Sequence, residues 1–93
     1  MASVRDRALS IVELLAHHVH GLPMSKIADT LGIPRTAAHR LLADLKESGF
    51  VKQDPGTSQY TLTVKLASLG LAYLAATGIT DAAQPLLDDL ANE

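Results

Sequence analysis

Apolar side chains recur at helical spacing over five stretches of the chain, interrupted once by a pair of short β-prone runs. Ala8, Ile11, Val12, Leu15 and Val19, with Leu14 beside them, predict a first helix from about Val4 to His18. Ser3 with Asp6 three residues on reads as a cap followed by an early acid, and Gly21 ends the segment. Gly21-Leu22-Pro23-Met24 is long enough only for a connector or a brief edge strand. Met24, Ile27, Ala28 and Leu31 then fall at i, i+3, i+4 and i+7, one face of a two-turn helix. Pro23 suits its first turn, and Gly32 closes it. Ala38, Leu41, Leu42 and Leu45 mark a third helix through Lys46, stopped by Ser48-Gly49. Two short helices joined by Leu31-Gly32-Ile33-Pro34 predict a tight helix-turn-helix over about 24–46.

After Gly49 the period changes. Phe50-Val-Lys-Gln and Tyr60-Thr-Leu-Thr are β-prone and flank the turn residues Asp54-Pro-Gly-Thr-Ser-Gln, a hairpin with a polar tip. From Val64 the helical period returns (Leu66, Leu69, Leu71, Tyr73, Leu74) and runs to Thr77-Gly78. A last amphipathic stretch, Thr80 to Asn92, carries Ala82, Leu86, Leu87 and Leu90. The expected fold is mainly α with a small β-hairpin wing. A three-helix core and its wing, about 50–62, occupy residues 1–63. A helix over 64–78 should pack on that core and serve as a dimer contact, because it is apolar on more than one face. Residues 79–93 should begin a linker helix.

Composition narrows the function classes. The 93 residues contain no cysteine, which excludes a disulfide scaffold, a zinc-cysteine cluster and a thiol nucleophile. Aromatics are 3%, too few for stacking platforms on single-stranded nucleic acid. No apolar run approaches the roughly 18–20 residues of a membrane span, and the N-terminus shows no signal region, so a cytoplasmic protein is expected. The net charge of −2 conceals an asymmetry. Residues 1–65 hold eight Lys/Arg against six Asp/Glu, a net of +2, and residues 66–93 hold four acids and no base, a net of −4. That distribution permits a nucleic-acid partner for the first part.

The third helix carries the sharpest signal. With Ala38, Leu41, Leu42 and Leu45 inward, Thr36, Arg40 and Ala43 face outward, and Arg35 and His39 stand on the flanks. Arginine can bond guanine bidentately, and threonine offers a hydroxyl or a methyl to base edges. An ordinary helical hairpin would also have a polar outer face, but usually one of Glu and Lys. Lys52 and the tip donors Thr57, Ser58 and Gln59 suit phosphate or sugar contacts, which set register without reading sequence. Asp54 works against them, and a plain surface hairpin would look similar. His17, His18 and His20 invite a metal reading, yet only His17 and His20 could share a helical face and no third ligand stands nearby. No nucleophile–base pair or phosphate loop is present, so no enzyme, cofactor or metal is expected.

Several stretches, together and in order, resemble the N-terminal domain of IclR-type transcriptional regulators. They are Arg7-Ala-Leu-Ser-Ile-Val-Glu-Leu-Leu-Ala, Ile27-Ala-Asp-Thr-Leu-Gly-Ile-Pro-Arg-Thr-Ala-Ala-His-Arg-Leu-Leu-Ala-Asp-Leu, Gly49-Phe-Val with Tyr60-Thr-Leu, and Ala83-Gln-Pro-Leu-Leu-Asp-Asp-Leu-Ala. The resemblance implies a winged helix-turn-helix that binds pseudo-palindromic operator DNA as a homodimer. It also implies a C-terminal domain that senses a small molecule and has no counterpart in these residues. Arg35, Thr36, His39 and Arg40 match the recognition-helix surface of the family, and Arg7 matches the arginine that opens its first helix. From the residues and the resemblance together, the expected DNA-facing set is Arg35, Thr36, Ala37, His39 and Arg40, the wing residues Lys52, Thr57, Ser58 and Gln59, and Arg7 and Ser25. One departure is Thr63, where the family usually has glycine; threonine can cap the next helix instead. The competing class is a winged-helix interaction or dimerisation module, such as the N-terminal domain of a small-molecule methyltransferase.

Overall fold

The computed structural model describes residues 4–77. Their order is α1 (Val4–Ala16), α2 (Met24–Leu31), α3 (Arg35–Glu47), β1 (Val51–Gln53), β2 (Tyr60–Leu62) and α4 (Val64–Thr77). The Ser3 cap and the 79–93 segment lie outside the described residues. Strands β1 and β2 pair antiparallel with Val51 opposite Leu62, Lys52 opposite Thr61 and Gln53 opposite Tyr60. Leu22 adds a short third rung on the other edge of β2, exchanging both backbone hydrogen bonds with Tyr60 (3.1 and 2.8 Å).

The core is one cluster: Ile11 and Leu15 of α1, Ile27 of α2, Leu41 and Leu42 of α3, and Val51 and Tyr60 of the hairpin. Ala28 and Ala38 are also buried, which lets α2 and α3 approach closely. Burying a full aliphatic side chain contributes about 1.5–3 kcal/mol relative to leaving it exposed. These residues therefore hold helices and hairpin together far more strongly than the surface hydrogen bonds do. The hairpin alone would be marginal. It is stable because Val51 and Tyr60 belong to the helical core.

Both ends of the helix-turn-helix stop by the same device. Gly32 takes a left-handed φ of 66° and Gly49 one of 86°. In each case the following residue donates to the carbonyl five positions back, Ile33 to Ala28 (3.1 Å) and Phe50 to Leu45 (3.0 Å). Pro23 and Pro34 precede α2 and α3 in extended conformation, as their fixed φ requires.

Two expectations need correction. The first helix stops at Ala16 rather than His18, and the chain continues in tight turns (His17 N–H to Leu14 O, His18 N–H to Leu15 O). Val19 therefore leaves the helical stripe and is 78% exposed. The second concerns α4, whose expected packing on the core is not found: none of its residues is buried. Its first turn is anchored. Thr63 donates its hydroxyl to the Gly49 carbonyl (2.6 Å) and accepts from the Lys65 amide (3.3 Å). Lys65 Nζ donates to the Ser48 carbonyl and lies 4.7 Å from the centre of the Phe50 ring.

Candidate nucleic-acid interface

Helix α3 buries Ala38, Leu41 and Leu42 and turns the rest of its circumference outward. Arg35, Thr36, His39, Arg40 and Ala43 are all exposed, as the spacing predicted, and Ala37 is half-buried at the edge. No side chain caps the start of α3, because Pro34 stands there. Its first N–H groups therefore have no capping side chain to satisfy them, an arrangement that favours an anion.

Two clefts flank this face. Met24, Arg35, Thr36, His39 and Arg40 line one. Arg7, Thr36, Ala37, Arg40, Leu41 and Asp44 line the other. The fold thus carries Arg7, from the first turns of α1, to the side of a helix some thirty residues on in the chain. Arg7 and Arg40 share one cleft, and Thr36 and Arg40 belong to both. Each guanidinium offers a planar fork of donors suited to a phosphate or a guanine edge.

The wing tip is organised from within. Asp54 accepts from the Thr57 amide (2.8 Å) and the Thr57 hydroxyl (2.9 Å). These two bonds, helped by the Lys52 charge, hold the Asp54 carboxyl below its ordinary value of 3.8. The loop closes with Ser58 N–H to Asp54 O (2.7 Å) and Asp54 N–H to Gln59 O (2.8 Å), and Ser58 sits at φ 63°. Asp54, expected only to repel phosphates, is the residue that shapes the loop. The Thr57 hydroxyl hydrogen is correspondingly committed to it.

Lys52, Thr57 and Gln59 share a third cleft with His20, Asp54 and Thr61 on the outer face of the hairpin. No α3 residue lines that cleft, so the wing set and the helix set form two surfaces. Ser58 is exposed at the tip, and Ser25 is half-buried at the second position of α2. His17, His18 and His20 are exposed. Among the described residues no group of three His, Cys, Asp or Glu side chains could hold a metal ion. Sequence reasoning missed Asp44, although its place four residues after Arg40 on one helix face was available. It also gave Met24 a core role alone, whereas the side chain is half-buried and lines a cleft as well.

Three helices ending in an exposed arginine-bearing helix, followed by a hairpin fastened to the same core, define a winged helix-turn-helix domain. The family model of the IclR helix-turn-helix domain matches residues 5–55, and the chain belongs to that family of DNA-binding transcriptional regulators. It is 38% identical over 86 residues to the glycerol operon regulatory protein of Streptomyces griseus, covering 92% of this chain and 34% of that protein. It is 31% identical over 84 residues to the DNA-binding transcriptional repressor YiaJ of Escherichia coli, covering 90% and 30%. The crystal structure of an IclR family transcriptional regulator from Brucella abortus superposes with a TM-score of 0.74 at 27% identity, covering 92% and 33%. The chain spans about a third of the length of these relatives. That the relatives are transcriptional regulators favours DNA reading over the methyltransferase-type dimerisation module.

Proposed function

We propose that this chain is the operator-reading part of an IclR-type regulator, with α3 in the major groove. The observation that carries this reading is the α3 surface: Arg35, Thr36, His39 and Arg40 exposed opposite a buried Ala38/Leu41/Leu42 stripe, with Arg7 beside Arg40. Arg40 reads a base edge, with Thr36 and His39 next to it and Ala37 at the cleft wall. Arg7 and Ser25 hold phosphates. Lys52, Ser58 and Gln59 of the wing, with Thr57, follow the adjacent backbone or minor groove. The exposed apolar residues of α4 serve as a homodimer contact, so that two copies meet a pseudo-palindromic site. Residues 79–93 lead to a separate effector domain, which takes the small molecule. A regulator of this kind works in the cytoplasm and needs no catalytic group, cofactor or metal; no helix among the described residues is long and apolar enough to cross a membrane.

The test is duplex selection from a random pool followed by salt titration of variants. Arg40→Ala should cost about 1–3 kcal/mol on the selected duplex and relax preference at one position of each half-site. Lys52→Ala should weaken all duplexes alike and lower the salt slope by roughly one. Identical, sequence-blind losses from both variants would contradict the assignment.

A further inference from the structure

The recognition helix and the wing tip are joined by a short relay of side chains. Lys46, in the last turn of α3, donates from Nζ to Gln53 Oε1 (3.3 Å). Gln53, the last residue of β1, donates from Nε2 to the carbonyl of Ser58 at the tip (3.1 Å). From these contacts we infer that Gln53 is a positioning residue, which fixes the wing tip relative to α3 so that both meet one duplex in register. The inference rests on the DNA-reading function proposed above and adds to it a residue that touches no DNA.

The physical need is specific. The bonds among Asp54, Thr57, Ser58 and Gln59 fix the shape of the tip but not its placement. The strands below it pair over only three residues each, and the core contacts of the hairpin reach no further toward the tip than Tyr60 and its partner Leu22. Gln53 supplies the missing tie because a carboxamide carries an acceptor and a donor on one rigid group. Its oxygen faces the helix lysine and its nitrogen the loop carbonyl. Glutamate lacks the donor, lysine lacks the acceptor, and methionine lacks both at nearly the same length. The Gln53 side chain is half-buried, and Lys46 and Ser58 at the two ends of the relay are exposed. Ser58 holds a left-handed backbone, uncommon for a residue with a side chain. The carbonyl that Gln53 grips belongs to that residue. Holding two contact surfaces at a fixed spacing before binding spares the complex the cost of ordering them.

The experiment compares the chain with Gln53→Met, Lys52→Ala and the double variant. Two duplexes serve as probes, one selected from a random pool by the wild-type chain and an unrelated one of equal length. Gln53→Met should weaken binding to the selected duplex about three- to tenfold, the range of one or two lost hydrogen bonds, and flatten its salt dependence as Lys52→Ala does. The double variant should be little worse than the weaker single one, since both act through the wing. Without DNA, Gln53→Met should lower the NMR order parameters of Thr57, Ser58 and Gln59 and leave those of α1 unchanged. Unchanged tip order, or losses from Gln53→Met and Lys52→Ala that simply add, would overturn the inference. Should the wild-type chain select no duplex, the functional reading falls and the inference with it, whatever the tip order shows about the relay.

Discussion

Gly21 and Gly32 both hold left-handed backbone, at φ 95° and 66°, for different reasons. A side chain at Gly32 would meet nothing within 4 Å, so only the backbone preference stands against it. At Gly21 an added Cβ would lie 2.9 Å from Thr61 Cγ2 and 3.0 Å from the Tyr60 carbonyl oxygen. The chain approaches β2 there because Leu22 pairs with Tyr60. Gly32→Ala should therefore cost about 1–2 kcal/mol, the ordinary left-handed penalty. Gly21→Ala should cost that and roughly 1–3 kcal/mol more for displaced packing. Urea unfolding of both variants checks the ordering, and equal losses would mean that the β2 contact yields freely. The sequence announced both glycines as helix stops, and for Gly32 that was the whole reason. For Gly21 it was not, since α1 ends five residues earlier and the requirement comes from a strand distant in sequence. Arg7 shows the same limit: its position on α1 was legible, its place beside Arg40 was not.

Among the elements, the two helices of the helix-turn-helix were legible almost to the residue. Each carries its apolar stripe, a preceding proline and a closing glycine in a single local stretch. The wing was legible as a hairpin but not as a structured loop, because Asp54 looks the same in sequence whether it repels a phosphate or shapes a turn. Its bonds to Thr57 make the order of the tip depend on pH. A carboxyl held below its ordinary value contributes fully above 3.8, and the contribution is lost as pH falls through the lower, folded value. The Thr57 amide resonance should therefore stay constant from neutral pH and move only below 3.8. In Asp54→Asn it should show no such transition. A midpoint at or above the ordinary value would sink this account of the loop. The strand-to-α4 turn settles in a similar way. Thr63 stands where a glycine was expected, and its hydroxyl both braces the Gly49 carbonyl and caps the Lys65 amide. A hydrogen-bonding residue thus does locally what backbone freedom does elsewhere.

At the scale of the whole molecule, α4 is the element whose sequence and surroundings disagree. Its stripe of leucines predicts burial, yet Leu66, Leu69 and Tyr73 are 40%, 51% and 65% exposed. They fall at i, i+3 and i+7, so they share one helix face. An isologous contact would place this same face on both sides of an interface between two copies. If that face joins two copies, α4 sets how two recognition helices are presented, because its first turn is anchored at the end of α3 through Ser48, Gly49 and Phe50. Leu69→Glu then separates association from folding. The residue is exposed, so the change should shift stability by no more than about 0.5 kcal/mol. It should nevertheless convert a dimer to monomer in sedimentation equilibrium. On a duplex with two half-sites a dimeric wild-type chain would gain from the high effective concentration of its second contact, by roughly 10²-fold or more. Leu69→Glu should lose that gain and bind the two-site duplex no better than a single half-site. Fusing a dimerising coiled coil after the last residue should restore it without restoring the leucine, provided the linker spans the half-sites. Sedimentation and two-site affinity identical for wild type and Leu69→Glu would instead assign this apolar face to something other than a second copy of the chain.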